Sequence, residues 1–425
     1  MAHIKIKKGL DIPIDGAPLG SIRFLPPSSS ICLDFSPFHS IQPHLLVKPG
    51  DSVAIGQPLV EDKQNPGRFW VSPACGQVSE ILRGPKRVLN GILIVRDGVD
   101  RHVELPSKEE IIPFLCQTGL INYFWMRPFH VPVRSSLLPR SIFVKALESA
   151  PFTPSTEMQI GDQSEVFQAG LSFLSKLARV YLISRKDFGS FNDVTHHTAE
   201  GPHPVSNPSL HIQLIDPIRK STDVVWTIDA WGVLAIGTAL TKNRLLTEKI
   251  ISIAGTGFSE DLRGYYRAHI GNALDFTASG RILSGDPLMG KIQPFLGFFD
   301  SVCSSIIESE ERQPLHFFRF FTKYFTFSKT YFSRQKIFGF TTHLHGEERP
   351  FIDSLAYDRV MPLKIPTVPL VKAIIAENFE RAEALGLLEV APEDFALSTF
   401  VCPSKVEMVE IVENGLHRFA TDVLT

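Results

Sequence analysis

The stretch of sequence that decides the fold of the N-terminal region is residues 47–95, VKPGDSVAIGQPLVEDKQNPGRFWVSPACGQVSEILRGPKRVLNGILIV. Turns rich in glycine and proline at residues 48–51, 56–58 and 72–76 separate short runs in which apolar and polar residues alternate. Glycine adopts positive φ without steric cost and proline fixes φ, so such corners join short strands through tight turns. The pattern therefore predicts a small β-sandwich, which we place within residues 1–100.

The spacing of these turns resembles that of biotinyl and lipoyl carrier domains, in which a hairpin lysine carries a swinging cofactor. Lys63 is the lysine on the matching hairpin. The turn Asn65-Pro66-Gly67 follows Lys63 sooner than the carrier pattern has it, so we expect neither biotin nor lipoate on this chain. A stand-alone carrier or scaffold protein modified on Lys63 stays open as the alternative function. An intact-mass measurement would show whether Lys63 is modified.

Length, charge and cysteine usage narrow the class of protein. A chain of 425 residues is too long for one hydrophobic core, and about three or four domains are expected. The formal net charge of −2 lacks the basic surplus of a nucleic-acid-binding protein. The five cysteines are scattered without a CxxC pair, which indicates a reducing compartment and offers no spacing for zinc or an iron–sulfur cluster. Because no run of about 20 apolar residues is present, we expect no membrane span and a cytoplasmic location.

The pattern changes near residue 140, where strand-like apolar runs begin to alternate with amphipathic helical ones. This alternation predicts a Rossmann-like parallel sheet in residues 101–254. Gly255-Thr256-Gly257 is only part of a nucleotide fingerprint and no helix start follows it, so the sheet is not expected to hold NADH. An independent NADH dehydrogenase is therefore disfavoured. Strands are predicted at residues 142–144, 180–183, 210–215, 224–226 and 250–253, and helices after a capping box of Asp162 and Glu165 and from residue 230 to about 240.

The C-terminal part of the chain divides into two further predicted units. Short strands and turns in residues 255–310 fit a compact β-grasp module of the SLBB-like kind. Residues 311–425 begin with an aromatic, strand-like segment and end in a helical region. One helix is predicted at residues 370–385, capped by Thr367 and stopped by Gly386, and another after a capping box of Ser404 and Glu407. The predicted fold class is thus a multi-domain protein of α/β and β units.

Short motifs in order along the chain resemble the family formed by the A subunits of the sodium-translocating NADH:quinone reductase. The resemblance covers nearly the whole chain, and the layout is similar to that of the flavin and NADH subunit of complex I and of the C subunit of the Rnf complex. The motifs are IKIKKGLDIPIDGAP (residues 4–18), EDKQNPG (61–67), SPACGQV (72–78), RGPKRVL (83–89), GPHP (201–204), RILSGDP (281–287), YDRVMPL (357–363) and VCPSK (401–405).

This resemblance implies a peripheral subunit on the cytoplasmic face of a six-subunit respiratory complex. The complex passes electrons from NADH to ubiquinone and exports Na⁺, and the partners of the chain are the five other subunits, chiefly the membrane subunits. The glycine-rich flavin loop and clustered cysteines of the more distant relatives are absent here, so no flavin or iron–sulfur cluster is expected on this chain. What the resemblance does imply for it is a contribution to quinone binding, with ubiquinone as the ligand, and to assembly.

A quinone site needs an apolar slot, an aromatic face and donors for the carbonyl oxygens. Residues 124–130, FWMRPFH, supply aromatic rings, a guanidinium and an imidazole in one segment, and residues 33–38, LDFSPF, are a second candidate. The competing interpretation is an inter-domain core in which the arginine forms a structural ion pair, which is the more common use of such clusters. The candidate quinone residues are Phe35, Phe124, Arg127, Phe129 and His130.

Two other clusters are candidates for sites. His196, His197, His203 and His211 fall close together, but their spacing and proline-rich surroundings fit a shaped loop better than a zinc site, and no metal is expected. Residues 316–340 are dense in phenylalanine interleaved with basic residues, which fits docking on membrane subunits, contact with lipid, or a buried strand pair. We predict docking, with Phe320, Phe321 and Lys323 in the contact.

Overall fold

The computed structural model describes residues 3–186, 188–310, 324–328, 333, 335–344, 346–351 and 355–424. The predicted docking residues Phe320, Phe321 and Lys323 lie outside the described residues. Within them, the strands are β1 (His3–Lys5), β2 (Ile22–Phe24), β3 (Ser30–Asp34), β4 (Pro43–Leu45), β5 (Ser52–Val53), β6 (Pro58–Asp62), β7 (Phe69–Val71), β8 (Gly76–Arg83), β9 (Leu89–Arg96), β10 (Trp125–Arg127), β11 (Val131–Pro132), β12 (Ser141–Ala146), β13 (Arg179–Ser184), β14 (Thr195–Glu200), β15 (Val225–Asp229), β16 (Glu248–Ala254), β17 (Gly264–His269), β18 (Arg281–Ser284) and β19 (Val302–Ile306). The α-helices are α1 (Ile111–Gln117), α2 (Thr156–Ile160), α3 (Ser164–Ser175), α4 (Pro208–Ile215), α5 (Ala230–Lys242), α6 (Leu355–Val360), α7 (Thr367–Ile375), α8 (Phe379–Ala384), α9 (Ala396–Val401) and α10 (Met408–Leu424).

The predicted β-sandwich is confirmed, and it is built from two antiparallel sheets. One sheet has the order β3-β9-β8-β5 and the other β4-β6-β7. Buried Leu33, Val60, Trp70 and Ile92 belong to the core between them. Gly76 has a φ of +151°, and a Cβ there would collide with the carbonyl oxygen of Val95, so the turn before β8 requires glycine. The turn chemistry of the sequence therefore fixes this unit locally.

The first two strands of the chain pair outside the sandwich. β1 lies parallel to β14 at the edge of the seven-stranded sheet, and β2 lies parallel to β17 at the edge of the five-stranded sheet. The segment that precedes the sandwich in sequence thus joins two other units of the protein.

The central unit is a seven-stranded sheet with the order β1-β14-β13-β12-β15-β10-β11. β12 to β15 run parallel, whereas β10 and β11 are antiparallel additions at one edge. Strands predicted at residues 142–144, 180–183 and 224–226 correspond to β12, β13 and β15. The strand predicted at residues 210–215 is wrong. That segment is helix α4, because Asn207-Pro208 begins a helix in which proline occupies the first turn and needs no donor.

Helices α3 and α5 cross closely on this sheet. A Cβ at Gly237 would collide with the carbonyl oxygen of Val166, and a Cβ at Gly170 would collide with that of Val233. Each helix therefore places a glycine under the backbone of the other, which permits close contact. The predicted capping box of Asp162 and Glu165 is wrong, since α3 starts at Ser164 and no side chain caps it.

A five-stranded sheet of order β18-β19-β16-β17-β2 forms the third unit. The strand predicted at residues 250–253 is β16 and lies in this sheet. Its apolar core includes Ile251, Ile253, Phe258 and Leu296. Gly255, the first glycine of the partial fingerprint, has a φ of +101° and packs against the backbone of Ser305, so here it serves a turn after β16.

The C-terminal helices pack on the seven-stranded sheet, where the rings of Phe129 and Phe419 lie 5.7 Å apart. The helix predicted at residues 370–385 is two helices, because the side chain of Asn378 caps a new one, α8, at Arg381 N. The predicted capping box at Ser404 is wrong as well, since the Ser404 hydroxyl donates to the carbonyl oxygen of Pro350. Among the described residues, no helix combines the length and the apolar character needed to cross a bilayer.

Candidate functional site

Of the predicted quinone residues, the three phenylalanines are buried in two separate cores, Arg127 is buried and His130 is half-buried. Phe35 belongs to the sandwich core, with its ring centroid 5.0 Å from that of Trp70. Phe124 and Phe129 belong to the core of the seven-stranded sheet. Each of these rings is 1% exposed. The structure therefore does not bring the five predicted residues together in one open slot.

Arg127 is a buried arginine with an incomplete set of partners. Its Nη1 donates to Ser209 Oγ at 2.9 Å, while Nε and Nη2 have no hydrogen-bond partner among the described residues. Burial lowers the pKa of Arg127, and the carboxylates of Asp394 and Glu393 oppose that effect. Asp394 itself accepts from Asn207 Nδ2 at 2.8 Å. Among the described residues, no carboxylate lies within 4.0 Å of the Arg127 guanidinium, so Asp394 and Glu393 act on it over a longer distance than the structural ion pair that the sequence left open.

His130 lies beside this arginine and stacks on Trp125, with ring centroids 4.5 Å apart and planes 6° from parallel. Its Nε2 is 3.6 Å from Glu393 Oε2. Burial, and then the charge of Arg127, lower the pKa of His130 to about 3. The imidazole is therefore neutral at neutral pH, and its contact with Glu393 is not a pair of opposite charges.

The acidic residues opposite Arg127 predict a pH dependence of stability. Burial, and then the neighbouring Glu393, raise the pKa of Asp394 from 3.8 to about 6. A carboxyl with a raised folded pKa stabilises the fold below its unfolded pKa and loses that contribution as pH rises through the folded pKa. Asp394→Asn is therefore expected to become more stable relative to wild type as pH rises from about 5 to about 7.5. Thermal unfolding midpoints across this range measure the difference.

Several charged groups act on the neighbouring carboxyls of Asp394 and Glu393. Arg127 on β10 faces Asp394, and Lys145 on β12 and Glu413 on α10 act on Glu393, whose pKa burial also raises. Asp223→Asn is the matched control, because hydrogen bonds from backbone N–H groups lower the pKa of Asp223. That variant is expected to differ from wild type by the same amount throughout this range, because a carboxyl with a lowered pKa is ionised in both the folded and the unfolded state there. A pH-independent difference between Asp394→Asn and wild type would contradict the role given to Asp394.

A cavity lies where the three sheet units meet, and we call it the junction cavity. It offers about 50 Å³ of space to the centre of a water molecule, several times the roughly 10–15 Å³ that one water needs. Its walls are mainly apolar and include the aromatic rings of Trp70, Tyr123 and Phe298. The lining comes from residues 32–34, 70–73, 118–120, 122, 123, 245–247, 270, 271, 296 and 298.

Several polar side chains of the junction cavity are already engaged. The Asn122 amide donates to Phe69 O at 2.8 Å and accepts from Arg68 Nε at 2.9 Å. Asp34 accepts from the backbone N–H of Phe298 at 3.0 Å. By contrast, the hydroxyls of Tyr123 and Thr247 form no hydrogen bond with the described residues. Because both residues line the cavity, their hydroxyls are the candidates for hydrogen bonds to a ligand.

Tyr123 is held firmly in the cavity wall. Its ring stacks on Phe298 with centroids 4.8 Å apart and meets Trp231 edge-on at 5.0 Å. Burial raises the pKa of Tyr123 far above its usual value, so the phenol stays protonated and can donate a hydrogen bond. The sequence signal for Tyr123 was its place directly before the aromatic segment 124–130. Thr247 had no such signal.

The clustered histidines each have a separate environment. His196 Nε2 lies 2.7 Å from Ser184 Oγ, His203 Nδ1 lies 3.0 Å from Ser149 Oγ, and His211 Nε2 lies 2.8 Å from Val205 O. His197 packs beside Tyr181, with ring centroids 5.7 Å apart. In the described part of the chain, no three His, Cys, Asp or Glu side chains are grouped as a metal site would need.

Lys63 lies exposed on the turn between β6 and β7. Next to it, Asp62 is buried and accepts from the backbone N–H of Gln64 at 3.0 Å, which shapes the turn. The structure therefore places Lys63 at the hairpin tip that the sequence predicted.

Comparisons with known proteins extend over the units described above. Residues 4–97 match the family model of the NqrA N-terminal barrel-sandwich hybrid domain, and residues 106–245 match that of the NqrA second alpha/beta domain. The Na(+)-translocating NADH-quinone reductase A subunit of Chlamydia caviae is 36% identical over 99% of this chain and 97% of its own length. That of Pseudomonas aeruginosa is 34% identical over 98% of this chain and 99% of its own length. The chain belongs to the NqrA family, the A subunits of the Na(+)-translocating NADH-quinone reductase.

Proposed function

We propose that this component of the NADH-quinone reductase complex binds the ring of ubiquinone, and that the ring occupies the junction cavity. The observation that carries the proposal is an apolar cavity with aromatic walls and two hydroxyls that are candidates for hydrogen bonds, those of Tyr123 and Thr247. A quinone ring is flat and apolar, and it presents two carbonyl oxygens that accept hydrogen bonds. The walls and donors of the cavity match both properties.

One of the two segments chosen from the sequence contributes to the lining of this cavity, and the other follows a lining residue in sequence. Leu33 and Asp34 of the segment 33–38 line it directly, and Tyr123 precedes the segment 124–130. In the proposed site, Phe35 and Phe124 do not contact the ligand but lie next to lining residues, Phe35 against the ring of Trp70 and Phe124 directly after Tyr123 in sequence. Direct contact at Arg127, Phe129 and His130 stays the competing site, because three nitrogen atoms of Arg127 and His130 lack partners among the described residues.

Replacing the two hydroxyls tests the site. Tyr123→Phe and Thr247→Val each remove one donor, and each is expected to weaken ubiquinone binding about 3- to 10-fold, the equivalent of one hydrogen bond. The measurement is titration of the full-length chain with a short-chain ubiquinone, followed by quenching of tryptophan fluorescence, since Trp70 lines the cavity.

Two controls separate the competing sites. Tyr265→Phe removes a tyrosine hydroxyl on β17, outside the cavity lining, and is expected to leave binding unchanged. Arg127→Ala combined with His130→Ala tests the competing site. Loss of binding in that double variant alone would indicate that the quinone ring binds beside Arg127 and His130. Full binding in every variant would place the quinone at neither of these two sites, and no binding to wild type would remove quinone binding from this chain.

The finer organisation that we propose follows the sequence prediction. It comprises a β-sandwich in residues 1–100, a Rossmann-like domain in 101–254, a β-grasp SLBB-like domain in 255–310 and a helical domain in 311–425. Four parallel strands with helices between them support the second unit, and the five-stranded mixed sheet supports the third. Because β1 and β2 pair with other sheets, and β16 lies in the five-stranded sheet, the first two boundaries follow chain order and not sheet membership.

The partners and location that we propose rest on the family. The chain lies on the cytoplasmic face of the membrane and docks on membrane subunits among the five others, with Phe320, Phe321 and Lys323 in the contact. Flavin, iron and the Na⁺ path belong to those subunits, and the chain carries no flavin, iron–sulfur cluster, biotin or lipoate. In this arrangement it supplies a ligand pocket and a scaffold, and the electron carriers come from its neighbours.

A further inference from the structure

The parallel strands of the seven-stranded sheet contain a topological switch point. β13 and β14 follow β12 on one side, whereas β15 lies on its other side. In open α/β sheets, ligands bind outside the carboxyl ends of the strands at such a point. A small pocket occupies this position, and we call it the switch-point crevice. Glu148, Gln159, Asp229, Trp231, Lys249 and Ser301 line it.

A lysine from the neighbouring sheet occupies the switch-point crevice. Lys249 lies on β16 and is 4% exposed. Its Nζ donates to the carbonyl oxygen of Phe299 at 3.2 Å and lies 5.0 Å from the centroid of the Trp231 ring. None of the described carboxylates lies within 4.0 Å of this ammonium. Burial lowers the pKa of Lys249, and Asp229, Asp300 and Glu148 oppose that effect.

The acidic residues of the crevice oppose a phosphate ligand. Asp229 accepts from the backbone N–H of Gly232 at 2.7 Å and so occupies a donor at the start of α5 that could otherwise bind an anion. Glu148 also lines the crevice, where it accepts from Lys145 Nζ at 2.9 Å. An incoming phosphate would be repelled by two carboxylates, whereas an ammonium group lies near the aromatic face of Trp231 and is favoured by the same carboxylates at longer range.

We propose that the switch-point crevice is an ammonium-binding site whose ligand is the chain's own Lys249, inserted from the five-stranded sheet. The crevice leaves about 20 Å³ for the centre of a water molecule, which is room for roughly one water. A nucleotide is therefore excluded while Lys249 is in place. At a position where this kind of sheet typically binds a ligand, the crevice instead holds a contact between the seven-stranded and the five-stranded sheet.

Neighbouring hydrogen bonds hold β16 at the crevice. The Gln159 side chain donates to Ile250 O at 2.6 Å and accepts from Ile250 N at 3.0 Å, so its amide pairs with β16 as a strand would. Trp231 Nε1 donates to Glu248 O at 3.0 Å. These bonds flank Lys249 in sequence and direct its side chain into the crevice.

Chemical rescue tests the proposal on the full-length chain. Lys249→Ala removes three methylene groups and the ammonium, which together have the shape of propylammonium. The variant is expected to unfold at a lower temperature than wild type, and propylammonium is expected to restore several degrees of that loss. Wild type and Lys63→Ala, an exposed lysine variant, are expected to show no such rise. Equal restoration by neutral n-propanol would overturn ammonium recognition.

A second variant and a labelling experiment keep the test decisive if Lys249→Ala fails to fold. Lys249→Met fills most of the volume without the charge, so it is expected to lose stability and to show no response to propylammonium. A Lys249→Met chain as stable as wild type would overturn the proposal.

In native wild type, acetic anhydride is expected to modify Lys63 and spare Lys249, as mass spectrometry of peptides would show. Equal modification of both lysines would show that the crevice is not occupied as proposed.

Discussion

Arg68→Met is expected to lower the free energy of unfolding by about 3–5 kcal/mol, the range found when one partner of a buried ion pair is removed. Arg68 and Asp62 are each 1% exposed, and Arg68 Nη1 lies 3.7 Å from Asp62 Oδ2. Methionine would leave the Asp62 carboxylate buried without its cation. Burial lowers the pKa of Arg68 to about 10, which still leaves the guanidinium charged at neutral pH.

Arg68 also joins the sandwich to the segment that leads into the seven-stranded sheet. Its Nε donates to Asn122 Oδ1 at 2.9 Å, and its Nη1 donates to Val133 O at 2.6 Å. The guanidinium lies 4.7 Å from the centroid of the Trp70 ring. The variant therefore loses contacts between two units as well as the ion pair.

Urea unfolding of the full-length chain measures the effect of Arg68→Met. Adding Asp62→Asn to the variant is expected to recover part of the loss, because the unpaired buried charge is removed. Arg101→Met breaks an exposed pair with Asp97 and is the matched control, for which little change is expected. If Arg68→Met were as stable as Arg101→Met, neither the buried pair with Asp62 nor the contacts with Asn122 and Val133 would stabilise the protein as expected.

Gly237→Ala is expected to destabilise the protein by about 3 kcal/mol, at the upper end of typical overpacking costs. The new Cβ would collide with the carbonyl oxygen of Val166, a backbone atom that cannot rotate away. Helices α3 and α5 would have to separate, which also disturbs the contact of Gly170 with Val233. The better helix propensity of alanine offsets only about 1 kcal/mol of this cost.

Gly415→Ala is the matched control for the helix crossing. Gly415 lies inside α10, where a Cβ would meet the side chain of Ile374, which can move more easily than a backbone. Thermal unfolding of the two variants compares the same substitution in two helices. A smaller loss for Gly237→Ala than for Gly415→Ala would contradict the close approach of α3 and α5.

Local chemistry explains which elements could be predicted from the sequence. The sandwich was predictable because each corner has its own glycine or proline, and those residues act on the chain within a few positions. The run from Leu210 to Ile215 was misread because a short apolar run fits a strand and a buried helix equally well. Pro208 was the signal for the helix, and it stands just before that run.

The candidate sites depend on tertiary structure to a greater degree. The junction cavity combines side chains from segments as far apart as Cys32 and Phe298, and no local pattern links them. Of the two segments chosen from the sequence, 33–38 contributes Leu33 and Asp34 to its lining, whereas 124–130 contributes none and only follows Tyr123. Lys249 gave no signal, since a lysine in an apolar strand is ordinarily expected to face water.

The pairing of β1 and β2 has a consequence for synthesis on the ribosome. Residues 3–5 and 22–24 leave the ribosome before the sandwich, yet their partner strands are Thr195–Glu200 and Gly264–His269. β1 must therefore wait unpaired until residues 195–200 have been made, and β2 until residues 264–269 have been made. The sandwich can close early, whereas the two sheets that receive these strands are completed late, by strands that were translated before the sandwich.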